Sequence, residues 1–267
     1  MKVPGLSVCV VRVLVVLGFL ALSGCVTTTD SPFAREANKQ KAEENYVKLG
    51  MAYIGQGNYD RARDHLERAL QINPDSPSAL AGMGLIYQTE GEPDLAEKSF
   101  LNALDSDSNY TRGRVFYGAF LYNQGRYKDA ETQFTRASED TEYDDRGSVF
   151  YNLGRTQDEL GDIEDATASY KRAVGLSRGN ANYLLALSTS LVNEGEYASA
   201  EHYYNQLVGM MQHNPNLKHS PESLLTGLRL AHHFGDKNRE ASLALLLRKQ
   251  YPKSEQLKQY RALISND

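Results

Sequence analysis

The chain has no tryptophan and only two cysteines, Cys9 and Cys25, both within its first 25 residues. Everything downstream of Cys25 therefore lacks the thiols needed for a disulfide, a thiolate zinc site or a cysteine nucleophile. An excess of basic residues is also missing: the formal charge is -5, from 29 Lys and Arg against 34 Asp and Glu. That balance argues against nucleic acid as a partner, because a nucleic-acid binder normally shows a basic face. Nor is there a long hydrophobic run. The most apolar segment, VLVVLGFLAL from Val13 to Leu22, has ten residues, and a helix that crosses a bilayer needs about 20. What is present is ordinary globular composition: 267 residues, 41% hydrophobic and 24% charged, with 17 tyrosines. That is enough for one large domain or two small ones.

The N-terminus is the first organised feature. Lys2 and Arg12 precede the apolar run, and small residues follow it, as in a secretory signal segment that is removed. An ordinary signal peptide with a chance cysteine would show this much. The stretch LSGC, Leu22 to Cys25, is more specific and resembles the bacterial lipobox. That resemblance implies a diacylglyceryl group on the Cys25 thiol, cleavage before Cys25, and acylation of the new amine. Several acyl chains give a durable anchor, since each buried methylene adds about 0.8 kcal/mol and one chain holds only marginally. Val26 and Thr27 follow the cysteine; by analogy with such lipoproteins, the absence of Asp there favours the outer membrane, on its periplasmic face. Residues 1–24 are thus expected as a signal peptide. Residues 25–42 read as a polar, lipidated tether that turns helical near its end.

From Glu43 the chain repeats itself. The turn motif Gly-x-x-x-x-Ala occurs at Gly57–Ala62, Gly91–Ala96, Gly125–Ala130, Gly161–Ala166 and Gly195–Ala200, its starts separated by 34, 34, 36 and 34 residues. Seven residues before each turn stands a small residue: Gly50, Gly84, Gly118, Gly154 and Ser188. Four residues beyond each Ala stands a large one: Leu66, Phe100, Phe134, Tyr170 and Tyr204. This frame resembles the tetratricopeptide repeat, a unit of two antiparallel helices, and periods near 34 are its signature. The resemblance implies an all-α superhelix of about six helix pairs over 43–253, with repeats near 43–76, 77–110, 111–144, 147–180, 181–214 and 222–253. Pro74 is expected to stop the first unit's second helix. The sixth unit is degenerate, as a terminal repeat without a neighbour tends to be. Its Gly235-to-Ala241 spacing is one residue too long, which predicts a different turn, and residues 209–221 read as a long loop. The tail 254–267 reads as a partly frayed helix.

Signals for chemistry are weak. GMGLIY, Gly82 to Tyr87, has two glycines of a dinucleotide loop but lacks the third and a preceding strand, so no cofactor is implied. His232 and His233 are adjacent and so diverge by about 100° on a helix, the wrong spacing for a shared metal. His202, His213 and His219 flank a loop, where histidines are usually solvated. Carboxylates fall at helix starts and outer faces, where they suit the helix dipole. Neither a catalytic residue nor a metal site is expected, and the chain reads as a non-enzyme.

The remaining candidate is a binding surface. In a tetratricopeptide array the first helices line the concave groove, through the second, fifth, ninth and twelfth residues of each unit. Here the residues singled out are Val47, Met51, Ile54, Leu85, Val115, Tyr122, Tyr151 and Arg155. The first unit is apolar on two faces, since Tyr46, Leu49 and Tyr53 already supply a packing face, and a helix of that kind must bury both. Its second face either binds an apolar partner, is covered by the chain upstream of Glu43, or meets a membrane. Further along, the groove becomes polar.

A lipobox, a polar tether and about six such repeats resemble the type IV pilus biogenesis lipoproteins of the PilF/PilW family. Supporting stretches are YVKLGMAYIGQGNYDRARDHLERALQINPDS, the SEDTEYDDRGS insertion after the third unit, and the LLTGLRLAHHFGDKNREAS run in the sixth. The resemblance implies a pilotin. Such a protein uses the lipoprotein sorting machinery and its acyl chains to reach the outer membrane, and carries the pilus secretin subunit there for assembly into rings. Pilus formation and twitching motility depend on those rings. The alternative is a tetratricopeptide lipoprotein scaffold for outer-membrane barrel assembly or for cell-wall enzymes.

Overall fold

The structure, a computed structural model, describes residues 32–177 and 179–265. The signal segment, Cys9 and Cys25 lie outside the described residues. Among the described residues there are thirteen helices and no strand. They run α1 Pro32–Gly55, α2 Tyr59–Ile72, α3 Pro77–Glu90, α4 Pro93–Ser106, α5 Thr111–Asn123, α6 Tyr127–Ser138 and α7 Arg146–Leu160. They continue as α8 Ile163–Leu176, α9 Ala181–Glu194, α10 Tyr197–His213, α11 Pro221–His233, α12 Lys237–Gln250 and α13 Glu255–Ser265. Consecutive helices pair, and each pair touches only its neighbours, which is the solenoid arrangement.

Local chemistry sets the boundaries. Each turn glycine of the motif takes a left-handed conformation, from Gly57 at φ +72° to Gly161 and Gly195 at +82°, where a Cβ would clash with the backbone. Asn58, Ser76, Asn180, Ser220 and Asp236 cap the following helices with side-chain oxygens, satisfying amides that otherwise have no partner. Pro77, Pro93 and Pro221 sit in first turns, where a missing N–H costs nothing. Helix α2 ends at Ile72, just ahead of Pro74.

The size pattern read from the repeats is the packing pattern. Ala62, Ala96, Ala130, Ala166 and Ala200 are fully buried, as are Leu66, Phe100, Phe134, Tyr170 and Tyr204. A Cβ at Gly84 would lie 2.6 Å from the Phe100 ring, so the ring rests directly on the glycine backbone. In the fifth unit Ser188 takes the glycine's place, and Tyr204 leans instead toward Gly227 of the next unit, where its hydroxyl donates to the Ser223 carbonyl at 2.9 Å.

Four expectations change. First, α1 is helical from Pro32, well ahead of the expected repeat start, because AREANKQKAEE is built from strong helix formers. Second, α10 continues through His213, so the connection to α11 spans only residues 214–220, and α11 packs on both α9 and α10. Third, the sixth turn does not differ: Gly235 has φ +69°, like the others. The register is kept by Glu240, which occupies the buried Ala position at 6% exposure while Ala241 faces solvent. Fourth, α13 is docked on α11, with Leu257 and Tyr260 buried. The insertion after the third unit is likewise anchored, since the Arg146 Nε donates to the Ser138 carbonyl and Thr111 bonds Asp140.

The interior changes character along the solenoid. Up to the fourth unit's first helix the core is mainly Ala, Leu, Phe, Val and Tyr. Beyond it, hydroxyl and amide rungs join neighbouring helices: Ser169 to Gln157 at 2.7 Å, Thr167 with Ser190 at 2.7 Å, and Thr189 with Thr226 at 2.8 Å. Buried polar groups of this kind must be paired.

Candidate binding face of the first helices

The first helices α1, α3 and α5 lie side by side, with α5 next to α7 and α9 next to α11. At the N-terminal end Val47 and Ile54 are half-buried against the core formed by Leu66, Met83 and Ile86. The Met51 sulfur reaches across to α3, 3.2 Å from where a Cβ of Gly82 would stand. Residues 32–42 continue the α1 axis, so within the described residues the chain does not fold back over this face. Leu85 is half-buried on the next core cluster.

Val115 departs from the expectation of a groove residue. It is 9% exposed and belongs to the core, like the equivalent Ala81 at 0%. Both belong to one buried cluster with Phe100, Phe120 and Val149, which takes the fifth position of the second and third units out of the face.

Tyr122, Tyr151 and Arg155 do come together. The Arg155 guanidinium lies 4.6 Å from the Tyr122 ring centre and 5.8 Å from that of Tyr151, and donates to the Tyr122 hydroxyl at 3.2 Å. Tyr122 in turn donates to Glu159 at 3.2 Å, and burial raises its pKa. Cation–π contacts of this type contribute about 0.5–2 kcal/mol each. Tyr151 stacks on Tyr183 with centroids 4.8 Å apart, carrying the aromatic row into the fifth unit. Tyr183 was not singled out from sequence, although it lies one residue beyond a groove position of its repeat.

The α7–α9 pair is not closely apposed, and a cleft of about 230 Å³ opens there. Tyr151, Asp158, Asn182, Leu185, Thr189, Asn193 and Glu222 line it. Burial pushes the Asp158 carboxyl up, the Tyr170 hydroxyl opposes this by donating to it, and the neighbouring Glu159 carboxylate pushes it further up.

The histidines are engaged separately. His202 bonds Gln206, His213 the Gly209 carbonyl and His219 the Ser223 hydroxyl, and burial lowers the pKa of His219. His232 bonds Glu240, and His233 stacks on Tyr197 at 3.6 Å. Among the described residues no group of three or more His, Cys, Asp or Glu is placed to hold a metal ion. No helix among them is long and apolar enough to cross a membrane.

Comparison with known proteins agrees with this architecture. Tetratricopeptide repeat models match residues 39–76, 81–146 and 121–181. The chain is 35% identical to the type IV pilus assembly protein PilF of Pseudomonas aeruginosa over 250 residues, 93% of this chain and 97% of that one. A solved structure of Pseudomonas aeruginosa PilF superposes with a TM-score of 0.77 at 35% identity, covering 84% of this chain and 99% of that chain. The crystal structure of PilW, a type IV pilus biogenesis factor, shares the fold at TM-score 0.67 and 22% identity, covering 81% and 97%. Repeat frame, turn register and near full-length identity converge, and the chain belongs to the PilF/PilW family of tetratricopeptide proteins of type IV pilus biogenesis.

Proposed function

We propose that this protein is a pilotin. It is anchored by acyl chains on Cys25 to the periplasmic face of the outer membrane, which it reaches through the lipoprotein sorting machinery. There it binds the type IV pilus secretin subunit and promotes that subunit's localisation and multimerisation, on which pilus formation and twitching depend. The reading is carried by identity to a pilus assembly protein along nearly the whole of both chains. The apolar surface of Val47, Met51 and Ile54, with Leu85 beside it, is the docking site for a secretin segment. Tyr122, Tyr151 and Arg155 add aromatic and guanidinium anchors of the kind that dominate interfaces. The role is non-catalytic: the lipid gives location and the first-helix face gives cargo.

Two variants test it. Met51→Glu with Ile54→Glu sets two carboxylates against apolar surface, and should weaken secretin binding tenfold or more with helical content unchanged; undiminished binding would move the site elsewhere. Cys25→Ala should leave the protein unanchored and reduce heat-resistant secretin multimers in the outer membrane. Multimers at wild-type level would end the delivery role.

A further inference from the structure

We propose that the cleft between α7 and α9, bordered by α11 and sharing only Tyr151 with the aromatic anchors, is a second recognition site distinct from the apolar end, and that it takes an extended peptide carrying a lysine or arginine. This goes beyond the pilotin reading and does not depend on it.

The cleft's chemistry differs from that of the N-terminal face. Asn182 and Asn193 stand at its rim on α9, eleven residues apart and so three turns along one face. Arg229 donates to the Asn193 carbonyl oxygen at 2.6 Å, which orients the amide nitrogen as a donor. Carboxamides spaced along a helix suit a peptide backbone, since each offers both donor and acceptor. The floor is Leu185, Ala186 and the Tyr151 ring, apolar ground for the methylene stem of a long basic side chain.

The charges then select the partner. Asp158 and Glu222 both line the cleft, and no lysine or arginine does. Glu222 gives one carboxylate oxygen to Gln256 of α13 at 3.1 Å, an amide that does not neutralise it. Asp158 accepts from the Tyr170 hydroxyl, again without neutralisation. Two guanidiniums stand nearby and both are engaged: Arg155 is directed at Tyr122, and Arg229 is held on the Asn193 carbonyl oxygen at the rim. An ammonium or guanidinium reaching either acid would gain charge-assisted bonds. At about 230 Å³ the cleft is below the size usual for small-molecule sites, about 300–1,000 Å³, and fits one side chain with its flanking backbone.

The experiment is selection from a random nonapeptide display library on the purified full chain, with four forms compared: wild type, Glu222→Gln, Asp158→Asn with Glu222→Gln, and Met51→Glu with Ile54→Glu. Wild type should enrich peptides with Lys or Arg at one fixed position. The best of these, synthesised with a fluorescent label, should bind about tenfold more weakly to Glu222→Gln, and its affinity should fall with added salt, as charge pairs at a surface do. The Met51/Ile54 variant should bind it as wild type does. Circular dichroism and melting temperature matching wild type confirm that the amide variants remain folded. Absence of cationic enrichment, or cationic peptides indifferent to Glu222→Gln, would overturn the proposal. Loss only in the Met51/Ile54 variant would also overturn it, assigning all binding to the apolar end. Failure of the pilotin tests leaves these readouts unaffected.

Discussion

Glu240 is the residue whose position says most about how this solenoid ends. It fills the place that alanine takes in the five preceding turns, and a buried carboxylate there needs donors. Tyr260 supplies its hydroxyl at 3.1 Å, Lys237 its ammonium at 3.3 Å, and His232 lies at 3.0 Å. Burial raises the Glu240 pKa, but these bonds outweigh it, and the group is held below its ordinary 4.5. A depressed acid stabilises the fold above its unfolded pKa and loses that contribution as pH falls through the folded value. The protection of α13 amides, taken relative to their intrinsic exchange at each pH, should therefore be flat above about pH 4.5 and fall below it. Glu240→Ala should abolish that acid dependence and cost about 1–3 kcal/mol, because the Tyr260 hydroxyl is left buried without its acceptor; both follow from exchange and melting measured against pH. The repeat frame at residue scale permits a second prediction. Gly84→Ala puts a methyl 2.6 Å from the Phe100 ring, and such overpacking should lower stability by about 1–3 kcal/mol, read from denaturant unfolding.

Among the elements, α13 is the terminal cover. Leu224, Leu225, Leu228, Leu243 and Leu247 form one cluster with its Leu257 and Tyr260. A chain ending at Lys253 would expose that cluster, and the sixth unit should become protease-sensitive and melt earlier than the rest, by limited proteolysis and calorimetry. This element was legible only in part. Its apolar spacing predicts a helix, but the polar turn YPKS, Tyr251 to Ser254, and a short length give no sign that it docks. The reason is that Tyr260 docks beside the leucine cluster and donates to Glu240, and a Gly235-to-Ala241 spacing one residue too long reads as a broken motif until the donors to Glu240 from α11, α12 and α13 are seen together. The α10 extension was hidden for a similar reason. Met210 and Met211 look like the end of a repeat, yet both pack on the fifth-unit core and keep the helix running.

At the scale of the whole molecule, stability is shared between neighbours rather than pooled. Each unit contacts only the next, so damage stays local in such arrays. Gly84→Ala should accordingly raise amide exchange in α1 to α6 and leave α11 to α13 as in wild type; uniform acceleration would mean a single cooperative unit. The same arrangement lets the two ends of the face diverge. Apolar residues gather where α1 and α3 are closely apposed, and amides and carboxylates gather where α7 and α9 part.

Repeat spacing, turn glycines, the paired small and large residues, and hence the all-α solenoid and its family, are determined by the sequence alone. They are legible because each depends on contacts within one unit or its neighbour, at fixed separations along the chain. Tertiary structure decided the rest. It took Val115 out of the face, because it packs in the core cluster with Phe120 and Val149, and brought Tyr183 in, because Tyr151 stacks across a unit boundary. It also opened the cleft between α7 and α9 and turned Glu240 from a break in the motif into its final contact. Those outcomes depend on distances between helices, which no spacing along one strand of residues encodes.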